Sequence, residues 1–259
     1  MPYYGSDKRR FLLRCYDIMP DCNGELEQCS NIVSGLNPEQ GLGNSYMKRP
    51  NGSIGLSILE EHERAALFIR HSERVGAEIA TEQDGLTLRG REMALDLGKS
   101  LRPFGPIRVF SSPVGRCMDS ARLIAEGADA VGDVVSSTNL GGPGVFVVDG
   151  DMVLDRLNRV GLSPFIESWF NGELPVTEVR SCESGSQALM DWAIEELSSQ
   201  PKGLDVHVSH DLDLTPVLVH YLVYDLFTEG LLGFLDGFVV WPEGLKYKIY
   251  YRGRQGFLS

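Results

Sequence analysis

Two histidines, three arginines and an aspartate stand out in this chain, because together their types suit phosphoryl chemistry. Arg70, His71 and Arg74 share the five-residue run R-H-S-E-R, Arg116 follows S-S-P, and His210 and Asp211 sit in S-H-D-L. Phosphoryl transfer needs an in-line nucleophile, cations around the equatorial oxygens and an acid for the leaving oxygen. Imidazole, guanidinium and carboxylate supply these, and the planar guanidinium fork matches phosphate oxygens. The formal net charge of -12 disfavours the nonspecific attraction on which nucleic-acid binding depends. No nucleic-acid partner is therefore expected, and a small phosphate ester would be held only where several arginines converge against the acidic background.

These residues lie at the ends of elements that the hydrophobic pattern outlines. The run AALFI, residues 65 to 69, reads as a buried strand ending at Arg70 and His71, since a short apolar run stopped by polar residues fits a central parallel strand. The segment LTLRGREMALDLGKSL follows with Met93, Ala94, Leu97 and Leu101 at helical spacing. A second strand is expected at 107 to 111, after which Ser112 and Pro113 read as N-cap and first-turn proline of a helix through ARLIAEG. Arg116 then falls in its opening turn. A helix over SGSQALMDWAIEELSS precedes a strand DVHVS at 205 to 209, then His210 and Asp211, then a helix LTPVLVHYLVYDL. The tail FLDGFVVWPEGLKYKIYYRG reads as a closing hairpin around W-P-E-G.

Strands alternating with helices imply a three-layer α/β sandwich, with a mostly parallel central sheet and helices on both faces. His71, Arg116 and His210 would each lie just beyond the C-terminal end of a strand, where open sheets of this kind bind ligands.

The ordered set R-H-S-E-R (70 to 74), L-T-L-R-G-R-E (86 to 92), S-S-P-V-G-R-C-M-D-S-A (111 to 121) and S-H-D-L (209 to 212) resembles the histidine phosphatase, or phosphoglycerate mutase-like, superfamily. The resemblance covers roughly residues 65 to 128 and 204 to 225, and the H-D pair places it closer to the acid phosphatase branch. Ser72 departs from it, because the family usually has glycine after the histidine. The resemblance implies a phosphatase acting on a small phosphate monoester. His71 would attack phosphorus through one ring nitrogen while the other donates to a backbone carbonyl; Arg70, Arg74 and Arg116, with His210, would bind the phosphate. Asp211 is the choice for general acid, with Glu73, Glu126 and Glu183 as rivals. The mutase-type sequence E-R-H-Y-G is missing, which favours hydrolysis over transfer. A phosphotransferase and a noncatalytic phospho-ligand module are the alternatives, and neither a metal nor another cofactor is required by the implied mechanism.

Other features have plainer readings. Ser72 and Ser209 are as well suited to local backbone bonding as to phosphate, and Cys117 fits a small buried residue better than a nucleophile. His207 and His210 are three apart, but strand alternation points them to opposite faces, which argues against a shared metal. His62 and His220 read as surface or packing residues, and Glu60, Glu61 and Glu63 as a solvated helix face. Five cysteines without a C-x-x-C pair argue against a disulfide framework and a thiolate zinc site.

The composition, 42% hydrophobic and 23% charged, suits one domain spanning 1–259. Within it, residues 1–60 form an extension of unassigned role that holds loop-like patches and a helix-compatible run GELEQCSNIVSGL; it is long enough to cover the pocket or to make a homodimer contact. Residues 130–183, rich in Gly, Pro and isolated aromatics, read as an insertion or cap. Phe165, Trp169 and Phe170 there recur at helical spacing and suit core packing, with a leaving-group pocket as the alternative. The first twenty residues lack a stretch apolar enough for a secretory signal, and no run of about 18 apolar residues occurs, so no membrane contact and a cytoplasmic location are expected.

Overall fold

The first strand shows how the sheet is built. β1 (Arg64–Arg70) is apolar and buried along its centre, and its alternating side chains serve two cores. Ala66 and Phe68 join one hydrophobic cluster, while Ala65, Leu67 and Ile69 join the other. A strand buried on both faces belongs in the middle of a sheet covered by helices on both sides. The computed structural model describes residues 56–75 and 85–258. The chain divides into two units, Met1–Lys48 and Arg49–Ser259, and these residues belong to the second. The run GELEQCSNIVSGL lies outside the described residues.

In chain order the elements are α1 (Leu56–Leu59), β1, α2 (Leu88–Leu101), β2 (Ile107–Ser111), α3 (Gly115–Ala128), β3 (Val135–Ser136), α4 (Gly150–Val160), α5 (Leu162–Phe170), α6 (Cys182–Ser198), β4 (Gly203–Ser209), α7 (Asp211–Tyr221), α8 (Leu226–Glu229), β5 (Gly237–Glu243), β6 (Lys246–Tyr251) and β7 (Arg254–Leu258). The sheet order is β3-β2-β4-β1-β5-β6-β7. The first four strands pair in parallel and the last three add antiparallel. The expected three-layer α/β architecture is present.

β1 and β4 are neighbours, with Arg70 opposite Ser209. The helices that follow them go to opposite faces: α2 and α3 pack in the cluster of Leu67 and Ile69, whereas α7 packs in the cluster of Phe68. When adjacent strands send their chains to opposite faces, a crevice opens at their C-terminal ends. His71 and His210 are the next residues on each strand.

Three sequence expectations shift. α3 begins at Gly115 after a Val114 N-cap without a side-chain bond, so Ser112 and Pro113 precede the helix instead of capping it; the Ser112 hydroxyl is engaged elsewhere. The hairpin turn is Gly244 and Leu245, at the end of W-P-E-G, because Trp241, Pro242 and Glu243 are inside β5, and β5 itself pairs with β1. Glu60, Glu61 and Glu63 are exposed, but in the turn after α1. Among the described residues no helix is long and apolar enough to cross a membrane.

Candidate active site

The run after β1 is held in place by the second run of the sequence. Ser72 N donates to Ser120 Oγ at 2.9 Å, and Ser72 Oγ donates to Gly90 O at 2.7 Å. Thr87 caps α2 by accepting from Gly90 N and donates its own hydroxyl to Glu73 Oε1. A Cβ on Gly90 would stand 2.2 Å from Glu73 O, so only glycine lets α2 approach this closely. L-T-L-R-G-R-E therefore acts as a clamp on R-H-S-E-R. Ser72 is used in that clamp, and Ser209 Oγ donates to Leu140 O at 2.7 Å; both hydroxyls serve the backbone.

His71 is buried, and its Nδ1 lies 2.8 Å from Ser72 O. A carbonyl only accepts, so Nδ1 carries the hydrogen and Nε2 keeps its lone pair. Arg116 agrees with that assignment, since its Nε–H donates to His71 Nε2 at 3.2 Å. The other end of the same guanidinium, Nη2, lies 3.1 Å from His210 Nδ1, and His210 Nε2 lies 3.0 Å from Ser112 Oγ. One arginine thus bridges two imidazoles whose ring centroids are 5.5 Å apart.

Arg70 closes the other side. Its Nη1 donates to Leu232 O at 2.6 Å, its Nη2 pairs with Asp211 Oδ2 at 2.9 Å, and its Nε has no partner among the described residues. Phe234 lies 4.4 Å over this guanidinium and 5.7 Å from the His71 ring. Arg74, half-buried at the end of the run, places a guanidinium charge that reaches both Arg70 and His71.

Burial sets the electrostatics. It pushes the His71 imidazole down to about 3; the charges of Arg70, Arg116 and Arg74 add to this, against the Ser72 hydrogen bond. Burial, then Arg116, holds His210 well below 6.5. Both rings are neutral at physiological pH, as a nitrogen nucleophile must be. Asp213, buried in the first turn of α7, is pushed up to about 7 by desolvation and next by the charge of Asp211.

Structure therefore brings together Arg70, His71, Arg116, His210 and Asp211, with the charge of Arg74 in range. Two residues at this site carry no sequence signal of their own: Phe234, from the tail, and Gly141. A Cβ on Gly141, whose φ is +122°, would stand 2.5 Å from His210 Cδ2 and 3.1 Å from Ser112 Oγ.

Of the rival acids, Glu73 is bonded to Thr87. Glu126 is exposed near the end of α3, ten residues or about 15 Å along the helix from Arg116, and Glu183 is exposed in the first turn of α6. Cys117 is buried, with Sγ 3.5 Å from Ser209 O, and burial pushes its thiol up. His207 points away into the core, stacked between Phe68 and Phe110. Phe165 and Trp169 are core residues, with Phe170 packed against them.

Residues 66–140 match the model of the histidine phosphatase superfamily (branch 1). Over this segment, less than a third of its length, the chain is similar to that superfamily. The matched range ends before His210 and Asp211, the pair on which the resemblance to the acid phosphatase branch rested, and the model is that of branch 1. No curated protein sequence matches the chain. Among solved structures, native mycobacterial glucosyl-3-phosphoglycerate phosphatase is similar, with 17% identity, 68% of this chain and 89% of that one covered, and a TM-score of 0.51. A candidate alpha-ribazole-5'-P phosphatase from Escherichia coli shows 19% identity, coverage of 73% and 96%, and a TM-score of 0.51. At these identities the likeness is one of fold, and the candidate site rests on the geometry above.

Proposed function

We propose that this histidine phosphatase hydrolyses a small-molecule phosphate monoester through a phosphohistidine on His71. The observation that carries the reading is the neutral His71 ring with its hydrogen fixed on Nδ1 by Ser72 O and its bare Nε2 facing the guanidinium of Arg116. A phosphoryl group approaching Nε2 takes the place of the Arg116 Nε–H there, and that guanidinium turns to the phosphate oxygens. Arg70 offers its unpartnered Nε, Arg74 its charge, and His210 a second ring at the same oxygens.

The lone pair of Nε2 attacks phosphorus, the bond to the ester oxygen breaks, and Asp211 protonates that oxygen. Water then attacks phosphorus and gives a proton to Asp211, the phosphorus–nitrogen bond breaks, and inorganic phosphate leaves. Asp213 is a second source for the proton, because it is buried two residues from Asp211 and is pushed up to about 7. Neither acid step uses a metal ion. The absence of E-R-H-Y-G from the sequence supports hydrolysis over transfer.

The test is release of inorganic phosphate from a panel of monoesters in the presence of a chelator. Activity that survives chelation and vanishes in His71→Ala supports the reading. Loss confined to poor leaving groups assigns the acid to whichever of Asp211→Asn and Asp213→Asn shows it. Transfer between hydroxyls without release of phosphate would overturn hydrolysis.

A further inference from the structure

We propose that Ser112 permits His210 to exchange one tautomer for the other when phosphate binds, its hydroxyl accepting from the ring in the free site and donating to it in the complex. The inference rests on the proposed phosphate site, and its observations are the three contacts of one ring. Arg116 Nη2 lies 3.1 Å from Nδ1, and a guanidinium has only hydrogens to give, so Nδ1 is the acceptor. A neutral ring then carries its hydrogen on Nε2, which lies 3.0 Å from the buried Ser112 Oγ. In this arrangement Ser112 accepts.

Phosphate changes what Nδ1 must do. Once Arg116 turns to the phosphate oxygens, Nδ1 faces an acceptor, and a neutral ring can hold it only with the hydrogen on Nδ1. One proton leaves Nε2 and one arrives at Nδ1 by exchange with water, so no net proton is taken up. Nε2 then needs a donor, and a hydroxyl is the group that accepts in one state and donates in the other by rotating about its C–O bond. A backbone carbonyl or a carboxylate there would hold the hydrogen on Nε2 permanently.

The surroundings favour a swap over protonation. Burial first, and then the facing Arg116, His71 and Arg70, hold the pKa of His210 down, Gly141 packs against the ring edge without space for a methyl group, and the Cys117 thiol, 3.4 Å from Nε2, is a weak donor also directed at Ser209 O. Ser112 is thus a positioning residue that acts through His210.

The experiment is nitrogen NMR on the full chain with labelled histidine, alone and with inorganic phosphate or vanadate. The expected result is Nε2 protonated alone and Nδ1 protonated in the complex. Ser112→Ala should weaken phosphate binding about tenfold, because Nε2 has lost the donor that the bound state needs, while Ser112→Thr restores the wild-type affinity. Double protonation in the wild-type complex, or a phosphate affinity unchanged in Ser112→Ala, overturns the switch alone. A His210 that phosphate leaves unchanged overturns the phosphate site and the switch together.

Discussion

The two ends of the parallel strands handle charge in opposite ways. At the N-terminal end, Arg108 on β2 meets the fully buried Asp205 on β4 through two bonds of 2.8 and 2.7 Å, and Gln200 Nε2 adds a third at 2.7 Å. At the C-terminal end, the charges of Arg70, Arg116 and Arg74 gather around His71, two imidazoles are kept neutral, and Arg70 Nε has no partner among the described residues. The first arrangement fastens two strands. The second keeps like charges together at a cost in stability that Asp211 offsets only at Arg70, which is the physical mark of a site built for function.

Substitutions should separate the two ends cleanly. Arg70→Gln should lower kcat by about 10²- to 10³-fold and leave thermal unfolding nearly unchanged, as steady-state kinetics and calorimetry would show; a loss of stability without a loss of rate would reverse the contrast. Asp205→Ala should do the opposite, costing about 3 kcal/mol by denaturant titration because Arg108 is left beside a buried gap, with kcat in the folded fraction retained. Gly141→Ala should cost about 1–3 kcal/mol through overpacking, and it should also depress kcat by displacing His210, so it tests whether the 130–183 segment shapes the site.

At neutral pH the smallest effect falls on His207, on the strand that leads to His210. His207 is kept neutral, its pKa pushed down to about 3, by burial first and then by the charge of Arg108, and neither ring nitrogen has a hydrogen-bond partner among the described residues. Below about 6.5 the unfolded chain binds a proton that the folded ring refuses until about pH 3. The stability linked to His207 is therefore complete above 6.5 and is lost as pH falls toward 3. Relative to His207→Leu, the wild type should lose about 1.4 kcal/mol per pH unit across that window, and the variant should be about 1 kcal/mol more stable at neutral pH with activity unchanged. Parallel pH profiles of stability for the two proteins would show that His207 is not neutral for the reason given.

How much of this was legible in the sequence follows from which forces are local. β2 was readable at its observed bounds and β1 and β4 nearly so, because their apolar runs end at polar residues; Arg70, His71, Arg116, His210 and Asp211 were placed by those ends. Ser112 was misread as a helix cap, since the partner that claims its hydroxyl, His210, is 98 residues away. α7 starts at Asp211, earlier than the apolar run suggests, because two acidic residues in its first turn suit a helix N-terminus. Phe234 and Gly141 were invisible as site residues, as their roles come from contacts made only once the sheet is assembled.

The most direct measurement of the central claim is a rapid acid-free quench during turnover, followed by mapping of the bound phosphate. The account predicts an acid-labile, alkali-stable phosphate on His71, absent in His71→Ala and accumulating when water attack is slowed in Asp211→Asn. Turnover without any phosphorylated residue, or with phosphate on a different side chain, would contradict it.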